Sequence, residues 1–192
     1  MKIDTLIIGL GKIGMGYDYN TKKNLIRSHC ESVKKNKNFK LVAAVDTKFE
    51  KRKQFKKKFK TSVFKKYSEA LKRSRPQLVI LSTPITNHYE ILNKILKKKY
   101  VKFILCEKPI TDSLKKTRKI FQKVKKLKKF FFVNYIRHSD SIINRVLRNN
   151  KKLIFSKNSN IKVNYYDSIY NNCSHFILFF IKLFGMPKKI KN

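Results

Sequence analysis

The chain has no tryptophan, three cysteines, four prolines and five glycines in 192 residues. Cys30, Cys106 and Cys173 lie 76 and 67 residues apart. No pair has metal-ligand spacing, so no metal is expected, and an odd count argues against a disulfide framework. The thiols read as buried or incidental in a reducing compartment. Long apolar runs are also lacking. The longest late run, Phe176 to Ile181, is stopped by Lys182 and falls well short of the ~20 residues of a membrane span. The N-terminal run is short, carries Asp4 and meets glycines where a cleavage site would need small residues, so it is no signal peptide. A cytoplasmic protein without a membrane partner is expected.

Acidic residues are scarce: 11 Asp and Glu face 48 Lys and Arg, a formal charge of +37. That balance invites a nucleic-acid reading, which composition weakens. Phe, Tyr, Met, Ile, Asn and Lys, with AT-rich codons, total 104 residues, while Gly, Ala, Arg and Pro total 20. Lys outnumbers Arg 40 to 8, whereas phosphate recognition tends to favour the Arg fork. The lysines are spread over nearly every helical segment and are not interleaved with aromatics on one face. No specific nucleic-acid partner is expected, only weak, salt-dependent attraction of polyanions. The hydrophobic share, 42%, suits a packed core, and the length suits one domain plus part of a second.

Apolar runs alternate with Lys-studded helical patterns. Strands are expected at Ile3 to Ile8, Leu41 to Val45, Leu78 to Leu81, Val101 to Leu105 and Phe130 to Val133, with a weak one at Ser62 to Phe64. Helices are expected at Lys48 to Phe59, Ser68 to Arg73, Asn87 to Lys98 and Ser113 to Leu127. In the last, Leu114, Thr117, Ile120, Phe121, Val124 and Leu127 form an apolar stripe opposite lysines. The alternation predicts an α/β fold with a parallel sheet covered on both faces.

Gly9-Leu10-Gly11-Lys12-Ile13-Gly14 fits G-x-G-x-x-G directly after the first strand, the place where the pattern has a mechanism. Gly9 allows the turn, Gly11 lets a pyrophosphate approach, and Gly14 permits close packing. Amides of this stretch, those of Lys12 and Ile13 included, then face the anion. Asp46 ends the second strand, where a carboxylate accepts from ribose hydroxyls and repels a 2′-phosphate. NAD is therefore expected, with Lys48 near enough to leave NADP open. Asp46 follows Gly14 by 32 residues against the usual ~20, which marks Tyr17 to Asn38 as an insertion. The alternative for Asp46 is a helix cap.

Further segments fall into one order: Ser82-Thr83-Pro84 with His88, Cys106-Glu107-Lys108-Pro109, Asn134-Tyr135-x-Arg137, and Asn171-Asn172-Cys173-Ser174-His175. After a dinucleotide turn, this order resembles the Gfo/Idh/MocA family, over about residues 1 to 187. Glu-Lys-Pro is its most specific mark. The resemblance implies a Rossmann-type doubly wound sheet at 1–135 and an incomplete α+β substrate domain at 136–192. It implies a nicotinamide-dependent oxidoreductase acting on a sugar, sugar nucleotide or cyclic polyol. Thr83, Pro84, His88 and Glu107 then join Gly9, Gly11, Lys12, Ile13, Gly14 and Asp46 in holding the cofactor. Lys108, aimed by a cis Pro109, and His175 become the catalytic pair that handles the hydroxyl proton.

Two departures matter. Many members carry Asp four residues before the late histidine; here it is Asn171, which orients but cannot act as a base. The family's large antiparallel sheet is represented by one expected strand, Asn160 to Tyr166, and one helix, Phe176 to Phe184. That helix is apolar on every side, so self-association is expected. The alternative to an enzyme is a non-catalytic dinucleotide-binding fragment or regulatory remnant.

Overall fold

The structure, a computed structural model, describes residues 1–20, 26–149, 160–164 and 173–189. The chain divides into two compact units, Met1–Asn134 and Tyr135–Asn192. The first unit runs β1 (Ile3–Ile8), α1 (His29–Lys35), β2 (Phe39–Val45), α2 (Phe49–Phe59), β3 (Ser62–Phe64), α3 (Tyr67–Ser74), β4 (Leu78–Leu81), α4 (Ile85–Leu96), β5 (Phe103–Glu107), α5 (Leu114–Lys126) and β6 (Phe130–Asn134). Its six strands stand in the order β3-β2-β1-β4-β5-β6, and every neighbouring pair is parallel. This is the doubly wound Rossmann arrangement.

Strand periodicity explains why both faces are covered. Leu6, Ile8, Ala43, Val45, Val79 and Leu81 share one core with Leu71, Leu92, Ile95 and Ile120 of α3, α4 and α5. Their alternates Ile7, Ala44, Leu78 and Ile80 share the other with Val33 of α1 and Phe55 and Phe59 of α2. Successive side chains of a strand point to opposite faces, and both faces here are apolar. That is the signature of a buried parallel sheet.

Some boundaries differ from expectation. β5 begins at Phe103, paired with Leu78; Val101 is fully buried but precedes the strand. α4 starts at Ile85, immediately after Pro84, because proline supplies a pre-set φ at a helix entrance. The stretch 17–38 contains α1, so it is not wholly insertion. The Ile13 and Gly14 carbonyls accept from the amides of His29 and Cys30, at 2.9 and 3.0 Å. In an unbroken helix the amides four residues on would do this. The helix that follows β1 is thus split, and the true excursion lies between Met15 and Ser28. Buried Asp18 anchors it, accepting from the amides of Arg27 and Ser28 at 2.8 and 2.6 Å. Those bonds, with Arg27 nearby, hold its carboxyl below the usual carboxylate range although burial opposes them.

In the second unit a 3₁₀ turn (Ile136–Ser139) leads to α6 (Ser141–Arg148), and α7 spans Ser174–Phe184. Asp140 caps α6, taking the amides of Ile142 and Ile143 at 2.8 and 3.2 Å. The expected strand from Asn160 is not seen: 160–164 are described and carry no strand. A strand exists through a hydrogen-bonded neighbour, and no described segment pairs with it. Tyr165, Tyr166 and Asn171 lie outside the described residues.

Candidate dinucleotide-binding cleft

β1 and β4 are adjacent, and the chain turns outward from them in opposite directions. Ligands of open α/β sheets bind at the carboxyl ends of strands at such a switch point. Here the glycine turn meets Ser82-Thr83-Pro84. The Ser82 amide donates to the Ile8 carbonyl at 2.8 Å, and its hydroxyl to the Gly9 carbonyl at 2.9 Å.

Each glycine of the turn has a separate reason. Gly9 sits at φ +101°, and a Cβ there would lie 2.5 Å from the Ser82 carbonyl oxygen. A Cβ on Gly14 would lie 2.1 Å from the Gly9 carbonyl oxygen. A Cβ on Gly11 meets no atom within 4 Å. Gly9 and Gly14 are therefore demanded by the protein's own packing, and Gly11 borders open space. Among the described residues, the amides of Gly11, Lys12, Ile13 and Gly14 donate to no acceptor. Four consecutive unpaired donors at the start of a helical turn suit a phosphate.

The cleft above this turn has a volume of about 480 Å³, and Gly9, Gly11, Asp46, Thr83 and Pro84 line it. The Thr83 hydroxyl is buried and has no partner among the described residues. An unsatisfied buried hydroxyl is costly, so a ligand atom is its natural complement. Asp46 is held at the β2 end: its two oxygens accept from the amides of Leu10 and Lys48, each at 2.8 Å. It does not cap α2 with its side chain; it ties the glycine turn to the start of that helix. The residues present therefore fit a dinucleotide.

Two expected cofactor contacts stand elsewhere. His88 is 1% exposed. Its Nε2 lies 2.8 Å from the Thr83 carbonyl, and its Nδ1 3.2 Å from the carbonyls of Pro109 and Ile110. It bolts the loop after β4 to the turn after β5 from behind, because α4 starts early enough to bury its first turn. Glu107 faces His29 Nε2 at 2.7 Å and the Asn134 amide at 2.6 Å. Parallel pairing places Asn134 beside Glu107, and the split helix delivers His29. Burial pushes the Glu107 carboxyl up, but the bonds from His29 and Asn134, with the charges of His29 and Lys108, bring it below its ordinary value. His29 and Asn134 were not among the expected site residues.

Lys108 follows directly, and the Lys108–Pro109 bond is cis, matching the expected turn. His175 belongs to the second unit. It is buried in the first turn of α7, its ring edge-on to Tyr135 at 5.7 Å between centroids. Burial pushes the Cys106 thiol up to about 12 and raises Cys30 as well, so both stay protonated. Among the described residues no group of three or more His, Cys, Asp or Glu could hold a metal. No described helix is long and apolar enough to cross a membrane.

Glu107 has a consequence for stability. A carboxyl whose folded value lies below its unfolded one stabilises the fold above the unfolded value, and that contribution is lost as pH falls through the folded value. Thermal denaturation from pH 6 to 3 should therefore show an acid-labile limb. Glu107→Gln should flatten that limb while lowering stability at pH 6. An unchanged limb would remove this carboxylate from the account.

The fold and cleft define an NAD-binding Rossmann domain. The sequence matches the Gfo/Idh/MocA model, described as an oxidoreductase family with an NAD-binding Rossmann fold, over residues 3–135; the chain belongs to this family. No curated protein sequence matches it. Among solved structures it resembles myo-inositol 2-dehydrogenase from Lactobacillus plantarum, with TM-score 0.67 and 17% identity over 79% of this chain and 42% of that one. GenD2 from gentamicin A biosynthesis, in complex with NAD, gives 0.65 and 17% over 78% and 39%. A Klebsiella pneumoniae structure gives 0.74 and 17% over 97% and 52%. The chain spans about half the length of these structures, and at this identity the likeness shows the fold.

Proposed function

We propose that the chain is a nicotinamide-dependent oxidoreductase acting on a CH–OH group of a sugar, sugar nucleotide or cyclic polyol. The observation that carries this is the cleft of about 480 Å³, lined by Gly9, Gly11, Asp46 and Thr83, at a turn whose Gly11–Gly14 amides donate to no acceptor among the described residues. The inositol dehydrogenase among the similar structures supports the polyol class. NAD, when bound, accepts or returns the hydride. The chain's own residues do the rest. Gly9 and Gly14 hold the turn closed, Gly11 leaves room for the pyrophosphate, and Asp46 receives ribose hydroxyls with its remaining lone pairs.

Lys108 and His175 would move the hydroxyl proton. An imidazole titrates near neutral pH and suits taking a proton from a hydroxyl as hydride leaves its carbon. A lysine beside the nicotinamide's positive charge favours its neutral form and can orient or deprotonate a substrate hydroxyl. Glu107, clamped by His29 and Asn134, holds the backbone from which Lys108 emerges. The units Met1–Asn134 and Tyr135–Asn192 act as cofactor and substrate parts in this reading.

Calorimetric titration with NAD⁺ and NADH tests the cofactor half, and nicotinamide absorbance with myo-inositol and related polyols tests the rest. Binding together with turnover supports the enzyme. Binding without turnover of any sugar or polyol supports a non-catalytic dinucleotide-binding module, and no binding overturns both. Asp46→Ala is expected to weaken NAD⁺ more than NADP⁺. Loss of hydrogen bonds to a charged acceptor costs about 1.5–3 kcal/mol. Equal losses for both cofactors would reduce Asp46 to an anchor for the Leu10 and Lys48 amides.

A further inference from the structure

We propose that the rim of this cleft accepts a 2′-phosphate, so that the chain binds NADP(H) at least as tightly as NAD(H). Lys48, Lys51 and Lys65 are the specificity-determining residues. The inference rests on the dinucleotide reading above and deepens it.

The ends of β2 and β3 lie side by side, Val45 opposite Phe64. The segments leaving them therefore share one rim. Lys48 precedes α2, Lys51 stands in its first turn, and Lys65 follows β3; all three line the cleft with Asp46. In Rossmann folds this is the place of the adenosine ribose, where a carboxylate favours a free 2′-hydroxyl and a cation favours a 2′-phosphate. None of the three ammonium groups has a hydrogen bond or ion pair among the described residues. Two other lysines of this unit are ion-paired, Lys58 with Glu31 at 2.8 Å and Lys116 with Asp112 at 3.0 Å; what sets the rim three apart is their place on the cleft.

The opposing charges lining the cleft are Asp46 and Glu90. Both are already engaged, Asp46 by the amides of Leu10 and Lys48, and Glu90 by the Tyr67 hydroxyl at 2.9 Å. Three unengaged cations thus face two committed carboxylates, and the rim is positive. A ribose with a free 2′-hydroxyl would use Asp46 alone and leave three ammonium groups with no anion. A 2′-phosphate brings three strong acceptors and nearly two negative charges to the same rim.

A strongly basic chain attracts any polyanion, so the test fixes charge and varies position. Calorimetry in moderate salt compares NAD⁺ with NADP⁺, and 2′,5′-ADP with its isomer 3′,5′-ADP. NADP⁺ should bind at least as tightly as NAD⁺, and 2′,5′-ADP about tenfold more tightly than 3′,5′-ADP. The triple variant Lys48→Ala, Lys51→Ala, Lys65→Ala should lose about 30-fold or more for NADP⁺ and less than about threefold for NAD⁺, since only charge-assisted bonds to the phosphate are removed. Retained NAD⁺ affinity reports that the variant is folded. The exposed lysines Lys97, Lys99 and Lys125, changed together to Ala, should cost NADP⁺ little. The inference is overturned if NADP⁺ binds tenfold or more weakly than NAD⁺, if the two ADP isomers bind alike, if the remote triple costs as much as the rim triple, or if the rim triple loses both cofactors equally. If the wild-type chain binds neither NAD⁺ nor NADP⁺, the cofactor reading itself fails.

Discussion

Gly11→Val is expected to abolish NAD⁺ binding and leave the fold standing, while Gly14→Val in the same turn unfolds or rearranges it. The two glycines differ in what their missing side chains would meet. A Cβ on Gly11 meets nothing within 4 Å, so the valine enters open space. Gly11 lines the cleft and is the first of the four unpaired amides, and a branched side chain there takes the place of the pyrophosphate. The affinity loss should be roughly 100-fold or more, equivalent to about 2.8 kcal/mol, with little change in melting temperature. A Cβ on Gly14 would sit 2.1 Å from the backbone oxygen of Gly9 and 3.1 Å from the Ser82 hydroxyl. Backbone cannot swing aside as a flexible side chain can, so the turn must open. Overpacking of this kind costs about 3 kcal/mol or more, about 10 °C in a domain of this size. Calorimetric titration and thermal denaturation of both variants decide the matter. Unchanged NAD⁺ affinity in folded Gly11→Val would remove the glycine turn from the site, and a stable, binding-competent Gly14→Val would refute the packing argument.

The contrast shows where sequence reading reached and where it stopped. The pattern G-x-G-x-x-G marks all three glycines alike; only the neighbour of each missing Cβ separates packing from ligand space. Strands were legible because a sheet buried on both faces needs unbroken apolar runs, as in Leu6 to Ile8 of β1 and Leu78–Leu81. The β5 boundary slipped because Val101 is apolar and buried while the ladder to β4 starts at Phe103. α1 escaped notice because it has seven residues and its first turn is 14 residues upstream of its body. The same split concealed His29. It reaches Glu107 across 78 positions of sequence, a juxtaposition that no local spacing encodes and that only the strand order β1-β4-β5 produces. His88 misled for a related reason. Its place near a helix entrance was readable, but the side of the loop it packs against depends on the turn after β5.

The 192-residue chain is expected to self-associate, and a chain ending at Tyr135 is expected to be monomeric and to keep its NAD⁺ affinity. In the second unit the apolar side chains of Ile136, Ile142, Ile161, Ile177, Phe184 and Met186 are all exposed, Ile177 to 46% and Phe184 to 49%. Within α7 only His175 is buried, although ten of its neighbours in the run Ser174–Phe184 include a single charge, Lys182. A helix apolar all round is stable when more than one of its faces is covered, and a contiguous exposed apolar surface marks an association site. The first unit exposes apolar residues too, Phe130 and Phe132 on the edge strand β6 among them, but the charge of the exposed Lys128 just before that strand opposes strand addition. Net positive charge opposes association of either chain, and salt screens it. Light scattering should therefore be recorded from low to moderate salt, where the longer chain grows in apparent mass and the shorter one does not. Monodisperse monomers of the 192-residue chain at every salt concentration would show that the second unit covers α7 by itself, and aggregation of the shorter chain would place the association site on the edge of β6.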